Sequence, residues 1–278
     1  MSDTSAVLTG GPAPASSATS PYHHETVVWV KHWTDQYFSF AITRPASFRF
    51  RSGEFVMIGL PGESGGKPIL RAYSIASPCF ADELEFFSIK VADGPLTSRL
   101  QKIRPGDVIL MGKKPTGTLV LDALTPARRL ILIGTGTGLA PWLSVARDPD
   151  AYERHETVII AHTVREVKDL AYRDLFEREI FEDEVFGELV KDRLVYYPTV
   201  TREPFRTQGR ITDLIRSGAF FRDLGMEAGR FTPQEDRVMI CGAMAMIKEV
   251  AGLLEGAGMK EGSNAEPGDF VLERAFVG

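Results

Sequence analysis

The chain reads as two domains in series, a small antiparallel β-barrel followed by a Rossmann-like α/β domain built on a parallel sheet. Three observations predict this. From Glu25 to about Leu121 the sequence consists of short β-branched and aromatic runs separated by turn residues. After Pro126 apolar strands alternate with longer helical stretches, the rhythm of a parallel sheet covered by helices on both faces. Thr125-Pro126 interrupts the pattern between these halves, so the domains are expected at 22–124 and 125–278. At 278 residues the chain is long enough for each to bury its own core.

Residues 1–21 are rich in Ser, Thr, Ala, Pro and Gly, with neither a cationic start nor an apolar core of secretory length, and are expected to form a disordered tail. Barrel strands follow at Thr26-Val27-Val28-Trp29-Val30, Phe38-Ser39-Phe40-Ala41-Ile42, Phe55-Val56-Met57-Ile58, Leu84-Glu85-Phe86-Phe87-Ser88-Ile89 and Val108-Ile109-Leu110-Met111. Their turns are marked by Arg51-Ser52-Gly53, Pro61-Gly62 and Pro105-Gly106-Asp107. Such closely spaced strands predict a closed barrel, with one short helix after Gly94-Pro95-Leu96. In the second half, strands are expected at 129–133, 157–162, 193–197, 237–241 and 269–274, with helices near 139–146, 170–180, 210–217 and 243–256.

Composition narrows the function classes. A hydrophobic content of 44% and a charged content of 25% are those of a soluble globular protein. The net charge of −5 argues against a nucleic-acid binder. No apolar run reaches the roughly 18 residues of a membrane span. Two distant cysteines, Cys79 and Cys241, make neither a disulfide framework nor a thiolate metal site, which fits a reducing cytoplasm. The five histidines have no metal-ligand spacing, and nothing demands more than a monomer.

Two motifs carry the chemistry. In Arg71-Ala72-Tyr73-Ser74 a fixed cation and an aromatic ring stand two apart in a strand, so both point to one face. That pair suits a flavin dinucleotide, which needs its diphosphate charge offset and a wall against its ring; an ordinary edge strand with a solvated arginine is the plain alternative. Gly94-Pro95-Leu96-Thr97-Ser98 downstream adds amides that could meet the diphosphate. The second motif, Gly134-Thr135-Gly136-Thr137-Gly138-Leu139-Ala140-Pro141, joins an apolar strand to a helix and departs from the Gly-x-Gly-x-x-Gly fingerprint. Its glycines would let backbone amides approach a pyrophosphate, although a glycine-rich turn needs no ligand.

No acidic residue ends the second strand of this half, which closes on His162-Thr163-Val164-Arg165. After the third strand come Thr201, Arg202 and then Arg210, a hydroxyl and two guanidiniums suited to a 2′-phosphate. Cys241-Gly242 ends the fourth strand, where ligands of such sheets lie, so Cys241 could face a nicotinamide.

Taken together, over about residues 25–278, the chain resembles the bacterial-type ferredoxin (flavodoxin)-NADP+ reductases. The resemblance rests on Arg71-Ala72-Tyr73-Ser74, Phe87-Ser88-Ile89-Lys90-Val91, Gly94-Pro95-Leu96-Thr97-Ser98, Lys114-Pro115-Thr116-Gly117-Thr118-Leu119, Gly134-Thr135-Gly136-Thr137-Gly138, Thr201-Arg202-Glu203, Cys241-Gly242 and Glu273-Arg274-Ala275-Phe276-Val277. It implies noncovalent FAD at the barrel, with Arg71 on the diphosphate, Tyr73 against the isoalloxazine and Ser74 near its reactive edge. Lys90, Val91, Thr97 and Ser98 would complete the flavin site, with Ala72, Ile89, Pro95, Leu96 and Thr116 in the cofactor-contacting set. It also implies NADP(H), its 2′-phosphate on Thr201, Arg202 and Arg210 with Arg165 nearby, its pyrophosphate on Gly136, Thr137 and Gly138, and its nicotinamide near Cys241 and Gly242. Plant-type relatives end in a stacking tyrosine where this sequence has Ala275, so access to the flavin should be gated differently; Phe276 belongs to the cofactor-contacting set, and the sequence leaves open whether it packs near the adenine of FAD.

The implied activity is electron transfer between NADPH and a separate ferredoxin or flavodoxin, since the chain has no cysteine cluster of its own. Such partners are acidic, and Arg51, Lys67, Lys102, Lys113 and Lys114 are candidates for steering them. Two other readings stand beside it: an NADH-dependent reductase component of an oxygenase, and a non-enzymatic flavin-binding redox sensor.

Overall fold

A computed structural model describes residues 20–62 and 66–274. The expected tail, apart from Ser20 and Pro21, lies outside them, as do Ala275 and Phe276.

The first half is a six-stranded antiparallel sheet of β1 (Tyr22–His32), β2 (Tyr37–Thr43), β3 (Phe55–Leu60), β4 (Ile69–Ser74), β5 (Glu83–Ile89) and β6 (Val108–Gly112), in the spatial order β4-β3-β6-β1-β2-β5. A four-residue helix, α1 (Thr97–Leu100), follows β5. Alternation in β2 and β5 explains the curling. Phe38, Phe40 and Ile42, with Leu84 and Phe86, point inward to the barrel core, where Phe40 stacks on Phe38 at 5.8 Å and on Phe86 at 5.4 Å. Tyr37 and Phe87 on the opposite face are buried against the second half of the chain. Hence all but the last residue of β2 is buried, on both faces.

The expected closed barrel is nearly closed. Edge strands β4 and β5 face each other without a ladder, and their gap is spanned by Tyr73 Oη and Ser88 Oγ at 3.1 Å and, beyond the strand ends, by the Ala76 amide donating to the Glu85 carbonyl at 2.8 Å.

The second half is a five-stranded parallel sheet, β7 (Arg129–Thr135), β8 (Thr157–Val164), β9 (Leu194–Val200), β10 (Asp236–Gly242) and β11 (Phe270–Arg274), in the order β11-β10-β7-β8-β9. Each strand divides its side chains between two cores. Leu130, Leu132, Val158, Ile160, Met239 and Cys241 face the barrel side, whereas Ile131, Ile133, Ile159, Ala161, Val238 and Ile240 face the other. Helices α2 (Ala140–Val145), α3 (Pro149–Arg154), α4 (Arg173–Glu177) and α5 (Phe186–Val190) cover the barrel side; α6 (Ile211–Arg216), α7 (Ala219–Asp223) and α8 (Met244–Gly256) cover the other. The barrel-side core runs without a break through Leu119–Leu124 into Tyr37 and Phe87, so apolar burial joins the two halves. No helix among the described residues is long and apolar enough to cross a membrane.

The helix expected at 170–180 is shorter, because Tyr172 takes a left-handed conformation (φ 61°) before it and Arg178 leaves helical space after α4. Helices α3, α5 and α7 were not expected. Each has five or six residues, too few to display a helical period, although Asp148-Pro149 is a readable start: the Asp148 carboxylate accepts from the Asp150 amide and Pro149 opens the first turn.

Phe86, fully buried between barrel strands, is the direct test of this packing. Phe86→Ala is expected to lower stability by about 3–5 kcal/mol, read as a fall in the denaturant midpoint with the slope unchanged.

Candidate active site

The ladder missing between β4 and β5 leaves an opening, and the carboxyl ends of β7 and β10 stand against it. In this order the sheet switches direction between β7 and β10, the crevice where ligands of open α/β sheets lie. The result is one open cleft lined by both halves of the chain. From the barrel it takes Arg71, Ala72, Tyr73 and Ser74 with Phe87, Ser88, Ile89, Val91 and Gly94–Thr97; from the sheet it takes Thr137, Ala140, Cys241 and Glu273.

All four residues of the first motif line the cleft, Ser74 included. Strand parity would send Ser74 away from Tyr73, but β4 is an edge strand and both its faces reach the opening. Tyr73 is hydrogen-bonded to Ser88, makes a T-shaped contact with Phe86 at 6.4 Å and lines the cleft. Burial raises its hydroxyl pKa further, keeping it neutral. Arg71 is half-buried and donates to the Leu70 carbonyl at 2.9 Å. Ahead of α1, the amides of Leu96 and Thr97 have no acceptor among the described residues, whereas Ser98 gives its amide to the Gly94 carbonyl.

Several expected residues lie elsewhere. Lys90 turns its ammonium to the Thr34 carbonyl at 2.6 Å, Thr116 pairs its backbone with Phe55, and neither they nor Ser98 line the cleft. Of the glycine turn, Thr137 alone among the three expected residues does so. The glycines serve contact between chain segments. A Cβ on Gly138 would stand 2.3 Å from the Cys241 carbonyl oxygen, and one on Gly134 2.6 Å from Trp142 Nε1. Gly242, also outside the lining, leaves room for Thr135 Oγ1, which accepts from the Ala243 amide at 2.9 Å.

Sequence reasoning passed over His162, which is fully buried beneath this turn. Its Nε2 lies 3.1 Å from the Gly136 carbonyl and its Nδ1 3.2 Å from the Tyr196 hydroxyl. Burial pushes its pKa down to about 4, so it is a neutral brace for the turn.

Arg165, Arg202 and Arg210 are exposed and make no side-chain hydrogen bond or ion pair with any described residue. Val164 and Val200 are register partners on β8 and β9, and the Arg202 amide bonds the Arg165 carbonyl at 2.9 Å. The Gly209 amide bonds the Val200 carbonyl at 2.9 Å, which returns Arg210 to the same strand end. Three exposed guanidiniums thus gather at one corner, with Glu166 and Asp169 the nearby carboxylates that feel Arg202 and Arg165. The Thr201 hydroxyl donates to Val164 at 3.3 Å. Of the residues expected to steer a partner, Arg51 is already engaged by Glu54, Asp122 and Asn264, while Lys67, Lys102, Lys113 and Lys114 are exposed.

Glu273 and Cys241, register partners on neighbouring strands, face Tyr73 and Ser74 across the cleft. Burial, then the charge of Glu273, pushes the Cys241 thiol far above its usual range, so it carries no thiolate at neutral pH. Burial also raises the Glu273 carboxyl to about 7, against hydrogen bonds donated by Thr118. The folded state therefore holds this proton until near neutrality, whereas the unfolded chain releases it near 4.5, and stability falls as pH rises between these values. Glu273→Gln should then gain about 2 kcal/mol over the parent near pH 8 relative to near pH 5, by denaturant unfolding; an equal difference at both pH values would contradict this.

Residues 132–252 match a family model described as the oxidoreductase NAD-binding domain. The flavodoxin/ferredoxin–NADP reductase of Rhodobacter capsulatus is 54% identical, covering 91% of this chain and 93% of that relative. The ferredoxin–NADP reductase of Pseudomonas aeruginosa is also 54% identical, over 93% of this chain and 99% of its own length. Among solved structures, a ferredoxin NADP+ reductase from Neisseria gonorrhoeae with bound FAD and NADP superposes with a TM-score of 0.82 at 31% identity, covering 92% of this chain and all of that one. With an edge-strand cleft, an arginine corner and relatives matched over more than nine-tenths of both chains, the chain belongs to the ferredoxin/flavodoxin–NADP reductase family.

Proposed function

We propose that the protein transfers electrons between NADPH and a one-electron carrier, ferredoxin or flavodoxin, through noncovalently bound FAD. The observation that carries this reading is the single cleft with Tyr73 and Ser74 on one wall and Cys241 and Glu273 on the other. Two cofactors gripped by different domains would meet there. The names of the relatives and the FAD and NADP in the Neisseria structure support it.

The described residues fit FAD on the barrel side. Unengaged amides at Leu96 and Thr97 and the cation of Arg71 suit a diphosphate, and Tyr73 offers a ring wall. We assign Ala72, Ser74, Ile89, Val91 and Pro95 to the same site on their position in the lining. NADP(H) fits the sheet side, with the 2′-phosphate on Arg165, Arg202, Arg210 and Thr201 and the rest of the molecule entering past Thr137 toward Cys241. The FAD, when bound, supplies the exchange between a hydride pair and single electrons. The protein's part is alignment. Neutral Cys241 gives an uncharged surface beside the nicotinamide, and Glu273 is the titratable group in reach of both walls. Ala275 and Phe276 keep the roles that family resemblance gives them, and the domains 22–124 and 125–278 are the FAD-binding and NADP-binding units.

The carrier would dock on the barrel, where Lys67, Lys102, Lys113 and Lys114 are exposed. Both cleft walls come from one chain, which supports a monomer, and the two unpaired cysteines support a reducing cytoplasm.

Heat-released FAD in the supernatant and NADPH-dependent reduction of ferredoxin or flavodoxin would test the reading. Replacing Arg202 and Arg210 together by Ala should raise the KM for NADPH about 100-fold or more and leave the NADH rate within about two-fold, because each charge-assisted contact contributes ~1.5–3 kcal/mol. Little change with either nucleotide, in a protein that already prefers NADH, would favour an NADH-dependent reductase and sink the phosphate assignment.

A further inference from the structure

The outer face of β5 carries Glu85, a carboxylate 9% exposed in the middle of a mostly buried strand. Both of its partners come from the other half of the molecule. Arg147, just past α2, donates to Oε2 at 2.8 Å, and the Tyr172 hydroxyl lies 2.6 Å from Oε1. That hydroxyl is also 2.5 Å from Ser39 Oγ, which in turn accepts from Trp33 Nε1 at 2.8 Å. A phenol has one proton and a carboxylate can only accept, so the proton goes to Glu85 and Ser39 donates to Tyr172. The chain Trp33, Ser39, Tyr172, Glu85 therefore runs in one direction, each donor strengthened by the next, in a buried setting where such bonds are strong.

This node is tied to the cleft. Tyr172 holds a left-handed backbone (φ 61°), unusual for a bulky side chain, and its ring packs edge-on against Phe87 at 5.4 Å and against Trp33 at 4.6 Å. Phe87 lines the cleft. The same guanidinium of Arg147 also bonds the Ala76 carbonyl at 2.8 Å, and Ser144 of α2 donates to the Ser77 carbonyl at 2.7 Å, so the segment that leaves β4 is held by the same side of the α/β domain. Both barrel walls of the cleft, β4 and β5, are thereby fixed against the element that follows the glycine turn.

We propose that Glu85, Arg147 and Tyr172 are positioning residues that set the angle and separation of the two cleft walls, and so the distance over which hydride passes. None of them lines the cleft, and they act through Phe87 and the β4 and β5 strand ends. The proposal rests on the functional reading above, since a distance for hydride matters only if both cofactors bind.

Two substitutions that keep side-chain shape test it in the FAD-loaded protein: Glu85→Gln and Tyr172→Phe, alone and together. Flavin bleaching at saturating NADPH should slow by about 10- to 100-fold in each single variant, the loss expected of a displacement near 1 Å. The double variant should lose no more than the slower single, because both break one node. NADP+ affinity and FAD content should stay within about two-fold, since the arginine corner and β4 are untouched. A readout independent of turnover is hydrogen exchange without nucleotide, where amides of segments 76–87 and 143–148 should exchange faster in both variants while the barrel-interior strand β3 is unchanged. Parent-like bleaching and exchange in both single variants would overturn the proposal, as would a rate loss matched by equal losses of NADP+ affinity and FAD content. If the parent flavin is not bleached by NADPH, the functional reading fails, and the exchange data alone then decide whether the node fixes the domains.

Discussion

Everything functional in this molecule depends on one unmade ladder. Strands β4 and β5 are the two free edges of the barrel sheet, and β5 spends its other edge wholly on β2. Because β4 and β5 do not pair, their backbone and both side-chain faces open onto the crevice between β7 and β10, and residues of either parity can reach it. The cost of an open edge is offset by the apolar core that continues from Leu130 and Leu132 through Leu119–Leu124 to Tyr37 and Phe87. The site is therefore a product of the interface between domains and belongs to neither one.

Polar groups around the cleft fall into two kinds. Some are neutralised by burial, namely His162, Cys241 and Tyr73, and these brace or shape without charge. Others are exposed cations that make no side-chain hydrogen bond or ion pair with a described residue, Arg165, Arg202 and Arg210, at the far corner where an anion would complete them. Burial of neutral groups beside the reacting ends and exposure of cations at the distant end is an arrangement in which binding energy is drawn away from the chemistry. Glu273 is the exception, poised by burial to titrate near neutrality inside the cleft.

Much of this was legible in the sequence, for physical reasons that differ by element. The parallel sheet announced itself because strands such as Leu130-Ile131-Leu132-Ile133 must satisfy two cores and so are apolar at every position. Arg71-Ala72-Tyr73-Ser74 was readable since its residues act from one strand, and the arginine corner since Arg202 and Arg210 flank one short loop. The glycine turn was legible as a strand-to-helix turn, and Gly134 and Gly138 are in addition demanded by Trp142 and the Cys241 carbonyl, which the sequence does not show. Glu273, His162 and the Glu85 node were not legible. Glu273 meets Cys241 through strand register, His162 braces a turn 26 residues away, and Glu85 meets Tyr172 across 87 residues, contacts that no local spacing encodes.

The most direct test of the central claim, that one cleft brings FAD and NADPH together, is anaerobic stopped-flow absorbance of the purified protein mixed with NADPH or, separately, NADH. Rapid bleaching of an oxidised flavin band by NADPH, and much slower bleaching by NADH, is the expected result. Absence of a flavin band even after FAD is added, or equal rates with the two nucleotides, would contradict it.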